Sequence, residues 1–162
     1  MINEDGMKHL DRCVELATRA VETGNPPFGS VLVDEHGDVL FEGHNLTADG
    51  DDTQHPEFAI ARWAAANMTP DERAAATVYT SGEHCPMCAA AHGWVGLGRI
   101  VYASSSEQLA AWLDEFHAAP PPVATLPIHD VVPGLPVEGP FPVMAEVIRQ
   151  LHERYLKQGP QQ

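Results

Sequence analysis

Residues 81–96, SGEHCPMCAAAHGWVG, place Cys85 and Cys88 three positions apart at the start of a helix-like segment. Pro86 suits the first turn of such a helix, because its missing N–H would have no partner there. Three kinds of site have this cysteine spacing: a redox pair whose thiolate is stabilised by the helix N-terminus, a structural metal site, and part of a catalytic metal site. The cysteine spacing alone does not distinguish these three kinds of site, so residues elsewhere in the chain are needed to decide between them.

Composition and charge limit the class of protein. The chain has 162 residues, enough for one ordinary domain, which we expect to span residues 1–162. It lacks both the long apolar run of a membrane span and the basic, then apolar start of a secretory signal, so we expect a cytoplasmic protein without membrane contact. Lys and Arg number 9 against 23 Asp and Glu, for a net charge of −14. This charge disfavours nucleic acid as a partner and favours a small, uncharged or cationic molecule.

The order of apolar segments predicts an α/β protein with three layers, α/β/α, around a mixed five-stranded sheet. A helix over residues 7–21 precedes the strands FGSVLVD and DVLFEGHN, which the turn DEHGD joins into an antiparallel hairpin. Helices and strands then alternate, which predicts parallel neighbours. A proline-rich connection over residues 118–142 follows, with LPIHDVV as the expected fifth strand, and a C-terminal helix over residues 143–157 ends the fold.

A second motif supplies a further metal ligand, which the cysteine pair needs for a metal site. A four-cysteine zinc site would need another pair, but the remaining cysteine, Cys13, lies alone in a helical apolar pattern. The segment TQHPEF instead offers His55 and Glu57 at the start of another predicted helix. One histidine and two thiolates leave one position of zinc open, where water binds and its pKa falls from about 16 to about 7. Glu57 is close enough to carry that water's proton, so we expect a catalytic metal site.

The two motifs lie about 28 residues apart and in an order that resembles the zinc-dependent cytidine deaminase-like superfamily, whose signature is H-x-E followed by P-C-x-x-C. The resemblance covers residues 27–102, through PPFGSVLVD, EGHN, TQHPEF, YTSGEHCPMC and RIVYA. It is closest to the branch that acts on free bases, including bacterial guanine deaminases and fungal-type cytosine deaminases, and more distant to tRNA adenosine deaminases. It implies a cytidine deaminase-like fold, Zn²⁺ held by His55, Cys85 and Cys88, and Glu57 as the catalytic proton carrier.

The resemblance also implies the residues that contact substrate. Phe28 and Asn45 match family positions that face the base. Trp94 matches a tryptophan of the guanine deaminases, and Asp114 lies where those enzymes carry an acidic contact. His84 stands where the family usually has proline, and it either contacts the substrate or supports the site as a histidine whose hydrogen bonds are satisfied by the protein. Relatives form dimers whose C-terminal helix can reach the partner's site, so we expect a homodimer.

These residues predict a hydrolytic deaminase that releases ammonia from a free amino-substituted N-heterocycle: a guanine-like base, cytosine or an aminotriazine. Two alternatives remain open. One is a nucleoside deaminase or a tRNA adenosine or cytidine deaminase. The other is a zinc-binding interaction module without activity, which the intact Glu57 disfavours because such a module has no use for a positioned proton carrier.

Overall fold

The computed structural model describes residues 1–159, so positions 160–162 of the predicted domain lie outside the described residues. Helices and strands alternate along most of the chain. The elements are α1 (Glu4–Glu22), β1 (Gly29–Val33), β2 (Val39–His44), a 3-10 turn (Thr47–Asp49), α2 (Pro56–Asn67), α3 (Pro70–Ala75), β3 (Thr77–Gly82), α4 (Pro86–Val95), β4 (Ile100–Ser104), α5 (Ser106–Glu115), α6 (Ile128–Val131), β5 (Val137–Glu138) and α7 (Pro142–Gln158). Within residues 1–159, none of these helices has the length and apolar character needed to cross a membrane.

The five strands form one mixed sheet in the order β2-β1-β3-β4-β5. β1 pairs antiparallel with both β2 and β3, whereas β3, β4 and β5 are parallel. Alternation along β1 divides the core, because Val31 and Val33 pack with α1, α5 and α7 while Leu32 packs with α2 on the opposite face. The predicted three-layer α/β/α fold with a mixed five-stranded sheet is therefore confirmed.

The position of the fifth strand was predicted wrongly. The segment LPIHDVV contains the short helix α6, and the strand β5 follows it at Val137–Glu138. A carboxylate explains the helical turn: Glu83 accepts hydrogen bonds from the N–H groups of Ser106 and Ile128, both at 2.8 Å. These groups belong to the first residues of α5 and α6, whose N–H groups lack partners inside their own helices. Glu83 thereby ties the proline-rich connection to the turn that precedes Cys85.

Helix α3 was not predicted, although its sequence signal is present. The Thr69 hydroxyl accepts a hydrogen bond from the Glu72 N–H, and the Glu72 side chain accepts one from the Thr69 N–H, which is a complete capping box. Pro70 occupies the first helical position. A short helix thus continues the connection between α2 and β3.

Helix α7 covers the same face of the sheet as α1. Its residue His152 is 5% exposed and lies edge-on to the ring of Phe28, with ring centroids 5.3 Å apart. The ring of Trp112, from α5, lies 6.0 Å from that of His152. Burial lowers the pKa of His152 to about 4, so the imidazole is neutral at physiological pH.

We predict that His152 makes the fold less stable in mild acid. A histidine in the unfolded chain takes up a proton at about pH 6.5, whereas folded His152 does so only at about pH 4. Above about pH 6.5, protonation of His152 does not change the free energy of unfolding. Between about pH 6.5 and about pH 4, it lowers the free energy of unfolding by up to about 3 kcal/mol. Urea denaturation across this pH range should show a smaller loss of unfolding free energy for His152→Phe than for the wild type. Equal losses in the two proteins would contradict the lowered pKa of His152.

Candidate active site

The predicted site residues gather at one edge of the sheet. β1 begins at this edge, while β2, β3 and β4 end there. The segments that adjoin these strand ends carry Phe28, Asn45 and Cys85, which the sequence separates widely. Segments that follow the carboxyl ends of strands are the usual place for binding residues in open α/β sheets. The topology therefore explains why distant motifs form one site.

Two helix N-termini meet at this edge. Helices α2 and α4 pack against each other, and each begins with a residue that can bind a metal. His55 is the N-cap of α2 and precedes Pro56, while Cys85 is the N-cap of α4 and precedes Pro86. Neither N-cap side chain hydrogen-bonds its own helix. Each side chain is thus available for a ligand that the two helices share.

The ligand atoms of the three predicted metal ligands lie as close together as atoms that bind one zinc ion. His55 Nδ1 is 3.5 Å from the Sγ atoms of both Cys85 and Cys88. A tetrahedral zinc ion, about 2.3 Å from sulfur and about 2.0 Å from nitrogen, holds such atoms about 3.5 Å apart. Among residues 1–159 this is the one set of three or more histidine, cysteine or acidic side chains whose ligand atoms lie within 4.8 Å of each other. The set fits zinc and provides three of its four ligands.

The contact between the thiols changes their acidity in opposite directions. Hydrogen bonds, first from Cys88 and then from His55, lower the pKa of Cys85 to about 4 although burial opposes the shift. The pKa of Cys88 is raised, because Cys88 keeps the proton that it donates to the Cys85 thiolate. The N-terminus of α4 also favours negative charge on sulfur. The pair offers one thiolate and one proton that a divalent cation displaces on binding.

Glu57 lies in the first turn of α2 and is 5% exposed. Its Oε1 accepts hydrogen bonds from Ser30 Oγ at 2.7 Å and from Thr80 Oγ1 at 2.9 Å. Its Oε2 has no hydrogen bond to another described residue, and protein does not completely enclose this atom. Burial raises the pKa of this carboxyl group, and the Ser30 hydrogen bond and the charge of His55 offset the shift only in part. A carboxyl group held by one oxygen and open at the other is suited to proton transfer.

Phe28 and Asn45 are held side by side. The Asn45 N–H donates to the Phe28 carbonyl at 2.9 Å. The side-chain oxygen of Asn45 accepts from the N–H and the hydroxyl of Thr47, at 2.9 and 2.8 Å, and these bonds fix the orientation of the amide. Its NH₂ group bonds no described residue and is not fully enclosed, so its two donors are available to a ligand.

The Phe28 ring fits at this edge because Gly82 has no side chain. A Cβ atom on Gly82 would lie 3.1 Å from a carbon of the Phe28 ring, closer than ordinary van der Waals contact. Gly82 ends β3, three residues before Cys85. The glycine therefore brings the aromatic ring close to the turn that carries the cysteines.

His84 is enclosed by protein. It is 1% exposed, and neither ring nitrogen has a hydrogen-bond partner within residues 1–159. Its ring lies edge-on to that of His92, with centroids 5.4 Å apart. Burial and the neighbouring His92 hold the pKa of His84 well below its usual value. Enclosure leaves no exposed ring nitrogen for a substrate, and the lack of partners differs from the satisfied histidine that was the other predicted role, so both roles stay predictions.

Two predicted substrate contacts lie apart from the metal ligands. Trp94 is 90% exposed, near the end of α4. Six residues beyond Cys88 turn a helical side chain by about 240° and move it about 9 Å along the axis, so Trp94 points away from Cys88. Asp114 is exposed and lines a groove of about 220 Å³ with Pro120 and Pro121. Within residues 1–159, neither residue has a hydrogen bond or an ion pair with a predicted metal ligand.

Sequence reasoning missed the residues that hold Glu57. Ser30 and Thr80 are fully buried on neighbouring strands, where they pair across β1 and β3. A signal was present, because both are polar residues within otherwise apolar strand segments. The sequence pattern singles out His152, on the buried face of α7, less clearly, since a lone histidine on an apolar helix face is common.

We predict that Cys88→Ser abolishes zinc binding, because two ligands hold the metal much more weakly than three. Protein purified without chelator should contain about one zinc per chain in the wild type and less than about a tenth of that in the variant, measured by atomic absorption. Cys13→Ala is the matched control, since Cys13 is equally buried but lies in the core beneath α1. Zinc retained at the wild-type level by Cys88→Ser would contradict the ligand assignment.

The geometry agrees with what known proteins show. The family profile described as "Cytidine and deoxycytidylate deaminase zinc-binding region" matches residues 3–104. A probable cytosine deaminase of Schizosaccharomyces pombe is 31% identical over 120 residues, which make up 74% of this chain and 73% of that protein. A tRNA-specific adenosine deaminase of Haemophilus influenzae is 33% identical over 111 residues, or 68% of this chain and 64% of that protein.

A solved structure of guanine deaminase from Nitrosomonas europaea has the same fold. It matches with a TM-score of 0.69 and 18% identity, covering 96% of this chain and 85% of that chain. The profile match spans the metal ligands His55, Cys85 and Cys88. This chain therefore belongs to the zinc-dependent cytidine and deoxycytidylate deaminase family and is a hydrolase acting on C–N bonds.

Proposed function

We propose that this enzyme removes the exocyclic amino group of a free, uncharged N-heterocycle, such as a guanine-like base, cytosine or an aminotriazine, and releases ammonia. The arrangement of Glu57 carries the proposal: two hydroxyl groups hold one oxygen, while the other bonds no other described residue. Burying a carboxyl group destabilises a fold unless the group is paired or functional. A zinc-binding module without activity has no need of this arrangement.

Glu57 is the proton carrier. His55, Cys85 and Cys88 would hold the zinc ion, which when bound would supply a Lewis acid that lowers the pKa of water toward neutrality. Glu57 accepts one proton from the attacking water and passes it to the ring nitrogen beside the reacting carbon. It then accepts the second proton from the hydroxyl group added to that carbon and gives it to the departing amine, as the C–N bond breaks and the oxo group forms. The products are ammonia and a ring with an oxo group in place of the amine. The raised pKa of Glu57 favours this cycle, because the carboxyl group has to hold a proton between the steps.

Phe28 and Asn45 bind the ring. The Phe28 side chain offers an aromatic face, and aromatic rings prefer stacked or edge-to-face contacts with flat partners. The free NH₂ group of Asn45 donates hydrogen bonds to an acceptor on the ring edge, such as a carbonyl oxygen or an unprotonated nitrogen. Both groups suit an uncharged heterocycle.

A tRNA substrate is the second candidate, supported by the similarity to a tRNA-specific adenosine deaminase. The charge of the chain favours the free base, since a net charge of −14 repels a polyanion. Affinity for tRNA requires neutralised phosphates, and the 9 Lys and Arg residues are too few to outweigh 23 acidic residues without a dense local cluster. We therefore place the free base first.

We also propose a homodimer. Trp94 leaves an indole 90% exposed, and a second copy that covers it would bring this aromatic ring into an interface. Unlike Trp94, Tyr155 on α7 packs against the core of its own chain. The cytoplasmic location stays a prediction.

We predict that at least one of guanine, cytosine and melamine releases ammonia with a kcat/KM at least about 100-fold above that of guanosine, cytidine, adenosine or tRNA. The reason is that a pocket built for one flat ring excludes an attached sugar. Ammonia release by the zinc-loaded wild type, followed in a coupled assay, makes the comparison. A higher kcat/KM for tRNA than for every free base would establish the second candidate instead.

We predict a graded loss of kcat when Glu57 and its support are changed. Glu57→Gln keeps the shape but cannot carry a proton, so kcat should fall at least about 1000-fold with zinc retained. Thr80→Val removes one hydroxyl from Glu57 Oε1, and kcat should fall about tenfold. Both are measured as ammonia release with the best substrate.

The matched control is Thr18→Val. Thr18 donates its hydroxyl to the Val14 carbonyl within α1, away from the metal ligands. This variant should keep wild-type kcat. Near-normal turnover by a folded, zinc-loaded Glu57→Gln would rule out Glu57 as the proton carrier.

A further inference from the structure

The loop between Asn45 and His55 is closed by hydrogen bonds that have no part in the chemistry described above. The Leu46 N–H donates to the Gln54 carbonyl at 3.0 Å, so the two ends of the loop lie side by side. One end carries the proposed ring contact Asn45, and the other end carries the predicted metal ligand His55. The internal structure of this loop therefore affects both parts of the site.

Asp51 holds this loop from within. Its Oδ1 accepts hydrogen bonds from the Thr53 N–H at 3.0 Å and from the Thr53 hydroxyl at 2.6 Å. Its Oδ2 accepts from the side-chain amide of Gln54 at 2.9 Å, and its carbonyl accepts from the Gln54 N–H at 3.1 Å. The bonds from Thr53 and then from Gln54 hold the pKa of the Asp51 carboxyl group below its usual value. Asp51 is thus a charged acceptor that shapes residues 51–54.

The segment that Asp51 shapes contacts the ligand His55 twice. The His55 N–H donates to the Thr53 carbonyl at 2.7 Å. The pKa of His55 is raised by its hydrogen bond with Cys85 and, more weakly, by a hydrogen bond between its ring and the Asp52 carbonyl, although burial opposes the shift. Because Nδ1 faces the sulfur atoms of both cysteines at 3.5 Å, Nε2 is the nitrogen left to donate to that carbonyl.

We propose that Asp51 is a positioning residue of the metal site, which holds the Asp52 carbonyl against the His55 ring and so turns Nδ1 toward the metal. Asp51 itself is not part of the set of potential metal ligands. The inference rests on the proposed function only in taking His55 as a zinc ligand. It goes further by giving an exposed loop carboxylate control over metal affinity.

The physical reason is the freedom of the histidine side chain. Its ring rotates about two bonds, and Nδ1 binds zinc only when it lies within reach together with both sulfur atoms. A metal-binding histidine usually donates its second ring nitrogen to a carbonyl or a carboxylate, which fixes the orientation and the tautomer of the ring. Loss of such a support typically weakens metal binding by about 10-fold to 100-fold.

Zinc affinity of three variants tests the proposal, measured by competition between the zinc-loaded protein and a chromophoric chelator. Asp51→Ala removes three hydrogen bonds, and the Kd for zinc should rise at least about tenfold. Asp51→Asn keeps an oxygen that accepts from Thr53, so its Kd should stay within about threefold of the wild type. Asp52→Asn removes the neighbouring charge but keeps the carbonyl, and it should stay within the same limit.

The matched control is Asp34→Ala, which also removes an exposed carboxylate from a turn. Asp34 Oδ1 accepts from the N–H groups of His36 and Asp38, both at 2.9 Å. This turn joins β1 to β2 at the end of β1 away from the site. The Kd of this variant for zinc should equal that of the wild type.

A second readout follows the His55 ring itself. In ¹H–¹⁵N NMR spectra of the zinc-loaded wild type, the Nε2–H signal of His55 should exchange slowly with water. Asp51→Ala should lose this protection, whereas Asp34→Ala should keep it. A change in overall stability alone would leave the protection of this one N–H intact.

Wild-type zinc affinity and slow Nε2–H exchange in a folded Asp51→Ala would overturn the proposal. An equal loss of affinity in Asp51→Ala and Asp52→Asn would also overturn it, because charge would then be the cause. If Asp51→Ala does not fold, Thr53→Val, which lacks the hydroxyl donor to Asp51, replaces it under the same criteria. Failure of the proposed function is a separate result, since it appears as a wild type that binds zinc but releases no ammonia from any free base.

Discussion

The convergence of helices α2 and α4 at one edge of the sheet is the constraint on which the site depends. Zinc requires three donors about 3.5 Å apart, and the chain meets this requirement with the N-cap residues His55 and Cys85 together with Cys88. An N-cap side chain normally satisfies its own helix. Here neither N-cap side chain hydrogen-bonds its own helix, so both are free for the metal.

The sheet beneath the helices supplies the hydroxyl groups that hold the buried carboxyl group of Glu57. Antiparallel pairing of β1 with β3 sets Ser30 opposite Thr80, and both hydroxyl groups reach the same oxygen of Glu57. The low polarity around this carboxyl group raises its pKa, while the hydroxyl groups restrict its movement. Glu57 and the proposed ligand His55 thus both lie at the start of α2, whereas the hydroxyl groups that hold Glu57 belong to the sheet, and the contact between α2 and the sheet keeps these groups together.

Sequence patterns identified most of the fold because local signals agreed with the final packing. The hairpin, the alternating strands and helices, and the helix starts at proline are all present as predicted. The fifth strand was misplaced because a long-range contact decides it: the Glu83 carboxylate binds the N–H groups that begin α5 and α6. No local pattern in residues 126–132 records that contact.

By itself, the sequence identified the three residues that can hold zinc, drew attention to Glu57 and determined the α/β class, because each depends on residue type and short spacing. Tertiary structure alone decided which other side chains are enclosed, exposed or packed beside Phe28. It enclosed His84, left Trp94 in solvent, and brought His152 from the last helix to Phe28 at the start of the first strand. Such neighbours arise from the packing of layers that are distant in sequence, and motif spacing carries no information about them.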